Sequence, residues 1–554
     1  MNNNLILEAI LLPFFWLFSY LFTSAVGFAF IPFKNQKGAL SYNLFTWFWY
    51  GFGITIAILQ IWNLFFPINI YTWICISPIA MFGGLNLLRS GLFRFEKRGW
   101  IVSILLVLIL IFLIYASLDN KFIYDSLVYH FYTIKWLNNY AITPGMGNLF
   151  TYLGLNQSYF LYPAFLNGIW GSYRGACLTN GLLAIVICSE IVLSNANYFF
   201  LKKRLTFSAI FQLLFLPLCI NVGVQNLSSP TPDVFVDILT FKILSDIISC
   251  VESKKICFQD TFILAFYCAI GVCVKLSFLG ISLGVLVVII FWLISENLWK
   301  RNLLIKAVGL IFILLISWVI RGIISSGYIG FPVSLFGIPV DWKMPKSTLV
   351  DLAAFIKGFA RSHLHGQAGI NAAYNYNWLP GWIARMVSTV GFILPVLSFL
   401  VIILLLKIKK INRSVLFFVL IPVVTSIIFW FFTAPDIRFA VFTFWALGLA
   451  SAAYFISHAK IKWIDDRAIL TFIFLCCILI MIKNWNTDPE PLGDLPKQNK
   501  SVFVTKSGLK INTIKNTPPG DDWRICDCTI PCSVLPDSNI VLRGTNIREG
   551  FKIN

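Results

Sequence analysis

The apolar runs decide first what this chain can become. They fall at about 5–32, 42–65, 70–88, 99–118, 176–200, 205–223, 234–250, 258–275, 277–296, 303–320, 386–406, 414–433, 438–457 and 468–483. That is roughly fourteen stretches, each near the length a helix needs to cross a bilayer. The 554 residues are 58% hydrophobic and only 12% charged, with 53 Phe and 19 Trp. A soluble core needs far less apolar material, so the sequence specifies a polytopic membrane protein. The expected fold class is an all-α integral membrane protein with roughly fourteen transmembrane helices and a small β-rich C-terminal domain.

A net charge of +19 in a soluble chain would point to nucleic acid. Here the bases fall in alternate connections instead. Lys34 and Lys37, then Arg89, Arg94, Lys97 and Arg98, then Lys202, Lys203 and Arg204 mark the first three basic loops. Lys254 and Lys255, Lys300 and Arg301, Lys407, Lys409, Lys410 and Arg413, and Lys460, Lys462 and Arg467 continue the series. The intervening FPINIY, NVGVQNLSSPTP and TAPDIRF segments are sparse in base. The positive-inside rule then puts the basic loops in the cytoplasm and both termini outside, with membrane lipid and no nucleic acid as partner. Without a basic n-region or a clear small-residue cleavage site, MNNNLILEAILLPFF reads as a retained first helix. The expected organisation is N-terminal helices over 1–118, an outer loop over 119–175, and central helices over 176–320. A second outer loop over 321–385, C-terminal helices over 386–483 and an outer domain over 484–554 complete it.

Four groups of residues could carry chemistry. Asp125 follows the 99–118 run and precedes His130, in a segment whose aromatics (Phe131, Tyr132, Trp136, Tyr140) suit a membrane–water interface. A carboxylate placed there could serve as a base, or merely cap the helix that follows. In SSPTPDVFVDIL, Thr231 and Pro232 open a helix, Asp233 suits its first turn, and Asp237 lies one turn deeper on the same face. The second outer loop carries Arg321, Lys357, Arg361, His363 and His365, with the arginines suited to phosphate. TAPDIRF places Asp436 and Arg438 between two helices, where a local ion pair is the plainer alternative. Lys242 and Asp246, spaced i,i+4, could neutralise each other deeper in the bundle. Cys526, Cys528 and Cys532 stand in the polar tail, which reads as one disulfide in an oxidising compartment with one thiol over. No P-loop, Rossmann glycine pattern, Gly-x-Ser-x-Gly or His-Glu-x-x-His occurs.

With Asp125 in the first large outer loop, an interfacial helix after it, many membrane helices and an outer C-terminal domain, the chain resembles the GT-C superfamily of polytopic glycosyltransferases. More narrowly, YDSLVYHF, GNLFTYLGLNQSYF, GYIGFP…VDWKMP and LRGTNIREGF are similar to a family of bacterial inner-membrane proteins near that superfamily. The resemblance implies a sugar donor linked to polyprenyl phosphate, used at the outer face of the inner membrane. Asp125 would be general base toward a lipid, glycan or protein acceptor, with inversion at the anomeric carbon. Arg321, Arg361 or Arg438, with His363 and His130 nearby, would hold the phosphate. Asp233 or Asp237 could bridge to it through a divalent cation, Mg or Mn. Two other readings stay open at this point. One is a polysaccharide polymerase or ligase acting on lipid-linked glycans; the other is a transporter or lipid flippase, with a non-catalytic assembly protein behind both.

Overall fold

The structure, a computed structural model, describes residues 3–30, 40, 43–90, 100–118, 122–171, 173–199, 204–299, 301–459, 465–485, 490, 492–515 and 522–554. Lys34, Lys37, Arg94, Lys97, Arg98, Lys202, Lys203, Lys300, Lys460 and Lys462 of the basic loops lie outside the described residues.

Among the described residues, ten helices are long and apolar enough to cross a membrane. They are Leu5–Ala29, Leu44–Trp62, Ile70–Arg89, Trp100–Ser117, Arg174–Ser194, Leu276–Ser295, Arg301–Ser326, Val390–Ile408, Ser414–Thr433 and Val441–His458. The other four apolar runs are helical too, as Phe207–Asn226, Pro232–Ser253, Phe258–Val274 and Asp466–Lys483. The chain is a mostly helical integral membrane protein. The Val390 helix shows why: Leu394, Leu397, Leu400, Val401 and Leu404 are all at least half exposed, a face that only lipid can cover.

The Pro232–Ser253 helix does the opposite. It carries Asp233, Asp237, Lys242 and Asp246 and sits inside the bundle, against the Phe207, Phe258, Ser414 and Val441 helices. Its start follows its sequence: Thr231 Oγ1 accepts from the Asp233 N–H at 3.4 Å and Pro232 takes the first turn. Toward its far end, Lys242 Nζ pairs with Asp246 at 2.6 Å and with Glu190 at 3.2 Å, and Trp49 Nε1 donates to Glu190 at 2.7 Å. The i,i+4 pair is therefore real, and a second carboxylate completes it. Thirteen residues separate Asp233 from Asp246, about 20 Å along a helix.

Phe131, Tyr132 and Trp136 of the Phe131–Asn139 helix are buried, Phe131 against the helical bundle and Tyr132 and Trp136 against the C-terminal segment. That segment caps the first loop. Its hairpins, β1 (Lys500–Val504) with β2 (Lys510–Ile514) and β3 (Ile540–Leu542) with β4 (Phe551–Ile553), are both antiparallel. They share one core with the first loop, in which Ile511, Ile525, Val534 and Phe551 pack with Tyr132, Trp136, Met146 and Phe150. Tyr132 Oη donates to the Cys532 carbonyl at 3.0 Å and accepts from its N–H at 2.6 Å. Lys135 pairs with Asp527 at 2.6 Å, and Cys528 and Cys532 form a disulfide that leaves Cys526 free and buried.

Two glycines let the surfaces meet. Gly145 and Gly550 both have positive φ, +64° and +100°. A Cβ on Gly145 would collide with the Phe551 carbonyl, and one on Gly550 with the Pro144 carbonyl. Because Phe551 is fully buried at this seam, Phe551→Ala is expected to weaken docking by about 3–5 kcal/mol. Limited trypsin digestion checks it: the wild-type roof over 484–554 resists, whereas the variant is cut there first.

Candidate functional site

A π-helical turn, Ser126–His130, follows directly on Asp125, with Phe131 N–H donating back to Ser126 O. Such turns cost regular helical bonding and concentrate at functional sites. Asp125 has helical backbone angles and makes no side-chain cap. Its carboxylate instead faces Arg438 Nη1 at 3.5 Å, and the two side chains are 36% and 51% exposed, so a ligand can reach both. The capping alternative for Asp125 fails, and so does the local pair between Asp436 and Arg438.

What Asp436 does is shape the turn that presents Arg438. Asp436 Oδ1 accepts from the Arg438 N–H at 3.0 Å, and Oδ2 meets His363 Nε2 at 3.0 Å. Trp382 and Trp430 clamp the same turn, donating their indole N–H groups to the carbonyls of Pro435 and Asp436 at 2.7 Å. Asp436 and His363 thus stand behind Arg438 and hold it in place.

A second pair joins the first. Lys275, in the turn between the Phe258–Val274 and Leu279–Ser295 helices, forms an ion pair with Asp233. Lys275 Nζ and Arg438 Cζ each lie 4.5 Å from the centroid of the Phe439 ring, so a single aromatic ring carries both cations. Asp237 is partly exposed one turn deeper than Asp233, and among the described residues it has no ion pair or hydrogen bond.

Burial pushes the Asp125 carboxyl above its ordinary range; Arg438 and then Lys275 pull it back, while Asp233 adds to the rise. The Tyr129 hydroxyl is held well above its usual value, by burial first and then by the Asp125 and Asp233 charges. Its ring stacks on Tyr152, centroids 5.1 Å apart. Two carboxylates, two cations and a neutral phenol pair therefore share one end of the bundle.

Of the remaining expected residues, His130 lies buried behind the site and the others lie elsewhere. His130 is 2% exposed, with Nδ1 2.8 Å from Ser126 Oγ, beside the Tyr129 and Phe160 rings. Burial pushes it down to about 3, so it is neutral and cannot act as a phosphate-binding cation near neutral pH. The unfolded imidazole takes a proton below about 6.5 and the folded one only below about 3, so stability falls as pH drops through that window. The slope approaches about 1.4 kcal/mol per pH unit. Thermal melts between pH 7 and 4.5 are expected to show a smaller acid loss in His130→Gln than in the wild type.

Arg321 is buried, with Nη1 2.7 Å from Asn63 Oδ1, and forms no ion pair among the described residues. Arg361 gives Nη1 to the carbonyls of Ala372 and Ala373 at 3.1 and 3.0 Å and lies over Trp378. Neither joins Asp125. His365 packs on Phe359, as His363 does, and no group of three His, Cys, Asp or Glu side chains gathers as a metal set among the described residues. At Asp233, the Lys275 ammonium takes the place that a divalent cation would need, and no chemical step is routed through a metal. Lys275 is the site residue that the sequence reading missed. Its signal was a base in a loop that the charge alternation otherwise leaves base-poor.

A family model described as "Domain of unknown function (DUF8201)" matches residues 10–445. The chain belongs to this family. The DUF8201 match takes in Asp125, Asp233, Lys275 and Arg438 and ends before the C-terminal roof. Neither a curated protein nor a solved structure matches the chain.

Proposed function

We propose that this DUF8201 protein is a GT-C-like membrane glycosyltransferase that moves a sugar from a polyprenyl-phosphate carrier to an acceptor, with inversion. The observation that carries the reading is the reachable Asp125–Arg438 pair beside Lys275–Asp233, drawn from four distant parts of the chain. All fourteen apolar helices cross the membrane in this reading, with the Asp125 end and both termini on the non-cytoplasmic side of a bacterial inner membrane. The Cys528–Cys532 disulfide supports that placement, since such bonds persist in oxidising compartments.

The chemistry follows from the charges. The donor phosphate draws Arg438 and Lys275 away from their carboxylates, using the guanidinium fork and the ammonium as anion ligands. Freed of Arg438, Asp125 is a stronger base. The acceptor O–H gives its proton to Asp125 as its oxygen bonds to the anomeric carbon from the face opposite the phosphate. The bond from that carbon to the phosphate oxygen breaks, and the electron pair stays on the phosphate, where the two cations stabilise it. No separate acid is needed for that leaving group.

The test is turnover by purified protein in liposomes, supplied with a panel of radiolabelled polyprenyl-phosphate hexoses and a lipid extract as acceptor source. Release of polyprenyl phosphate together with a labelled product is expected. Failure to release it from every donor would overturn the proposal.

A further inference from the structure

A cleft of about 230 Å³ lies between the first loop, the start of the Lys346–Ser362 helix and the C-terminal roof. We propose that this cleft is the acceptor site and that it holds a neutral, hydroxyl-bearing saccharide. The inference rests on the glycosyl-transfer reading and gives it an acceptor class.

Position is the first argument. Tyr152 lines the cleft and also stacks on Tyr129, the residue one helical turn after Asp125. Burial first, and then the Asp125 carboxylate, pushes the Tyr152 hydroxyl up to about 12. On the other wall, the Trp523 N–H donates to Tyr124 Oη at 3.1 Å, so the roof closes next to the same carboxylate. The cleft and the Asp125 segment are thus joined through the stacked Tyr129 and Tyr152 rings.

Lining chemistry is the second. Phe150, Tyr152 and Trp523 offer ring faces, while Asn148 and Thr151 offer an amide and a hydroxyl. A pyranose needs that combination: apolar C–H faces laid on rings, with its hydroxyls matched to short neutral polar groups. Among the described residues the lining has no Lys, Arg or His, and its single charged residue is Asp537. A phosphate or uronate is repelled here and attracted at Arg438 and Lys275 instead, so the two substrates are sorted by charge.

Saturation-transfer NMR on the detergent-purified full chain tests this, with maltotriose, cellotriose and chitotriose as neutral probes, glucuronate as an acidic one, and farnesyl phosphate as a donor-site probe. At least one trisaccharide is expected to bind, with affinity falling at least tenfold in Trp523→Ala, and glucuronate is expected not to bind. Asp537→Asn, a surface change that leaves the fold intact, is expected to admit glucuronate. If no trisaccharide binds, or Trp523→Ala leaves binding unchanged, while farnesyl phosphate binds in an Arg438-dependent way, the saccharide inference is overturned and glycosyl transfer stands. If farnesyl phosphate does not bind either, both fall.

Discussion

Asp125→Asn is expected to lower sugar transfer by at least about a hundredfold, the usual contribution of a positioned general base. The substitution is nearly isosteric, and Asp125 makes no cap and is only half-buried, so folding is expected to survive. Donor affinity is the discriminating measurement. In the native protein Arg438 must leave Asp125 to reach phosphate. An asparagine holds it less firmly, so donor binding is expected to be unchanged or tighter while turnover collapses. Normal turnover in this variant would show that Asp125 is not the base. Weakened donor binding together with lost turnover would make Asp125 a scaffold for Arg438.

Arg438→Gln is expected to cost about a hundred- to a thousandfold in turnover, comparable to removing one preorganised donor from a developing anion. Its second effect has a definite sign. Arg438 is the largest influence opposing the burial that raises Asp125. Without it the free enzyme's carboxyl keeps its proton to higher pH, so the rising limb of the kcat/KM profile moves to the alkaline side. A residue acting only through phosphate binding would raise KM without moving that limb. A pH series on the residual activity separates the two effects, and Arg438→Lys, which keeps the charge but not the fork, is expected to restore the limb more fully than the rate.

The helices could be read from the sequence because each apolar run must be covered by lipid or by another helix, and run length alone reports that. Asp125, Asp233 and Arg438 could be found as well, because a charged residue at the end of an apolar run is costly wherever it sits. Partner choice could not. Arg321, Arg361 and Arg438 all suit phosphate by residue type, yet one meets Asn63, one meets backbone carbonyls, and one meets Asp125 more than 300 positions earlier in the chain. Packing between distant elements makes that selection, and no local pattern encodes it. What covers the aromatics from Phe131 to Tyr140 could not be read either, for a related reason. Rings that suit a membrane surface suit a protein core equally well, and what covers Tyr132 is Cys532, 400 residues later.

The shared core of the first loop and the C-terminal roof also sets an order of events during biosynthesis. Asp125 emerges from the ribosome early, whereas the wall formed by Trp523, Val534 and Ile553 is made after the Asp466–Lys483 helix. Until that tail has folded onto Tyr132 and Trp136, the cleft lacks one of its walls. On the proposed glycosyl-transfer reading, a nascent chain would then have nowhere to seat an acceptor, and the order of synthesis itself would delay transfer.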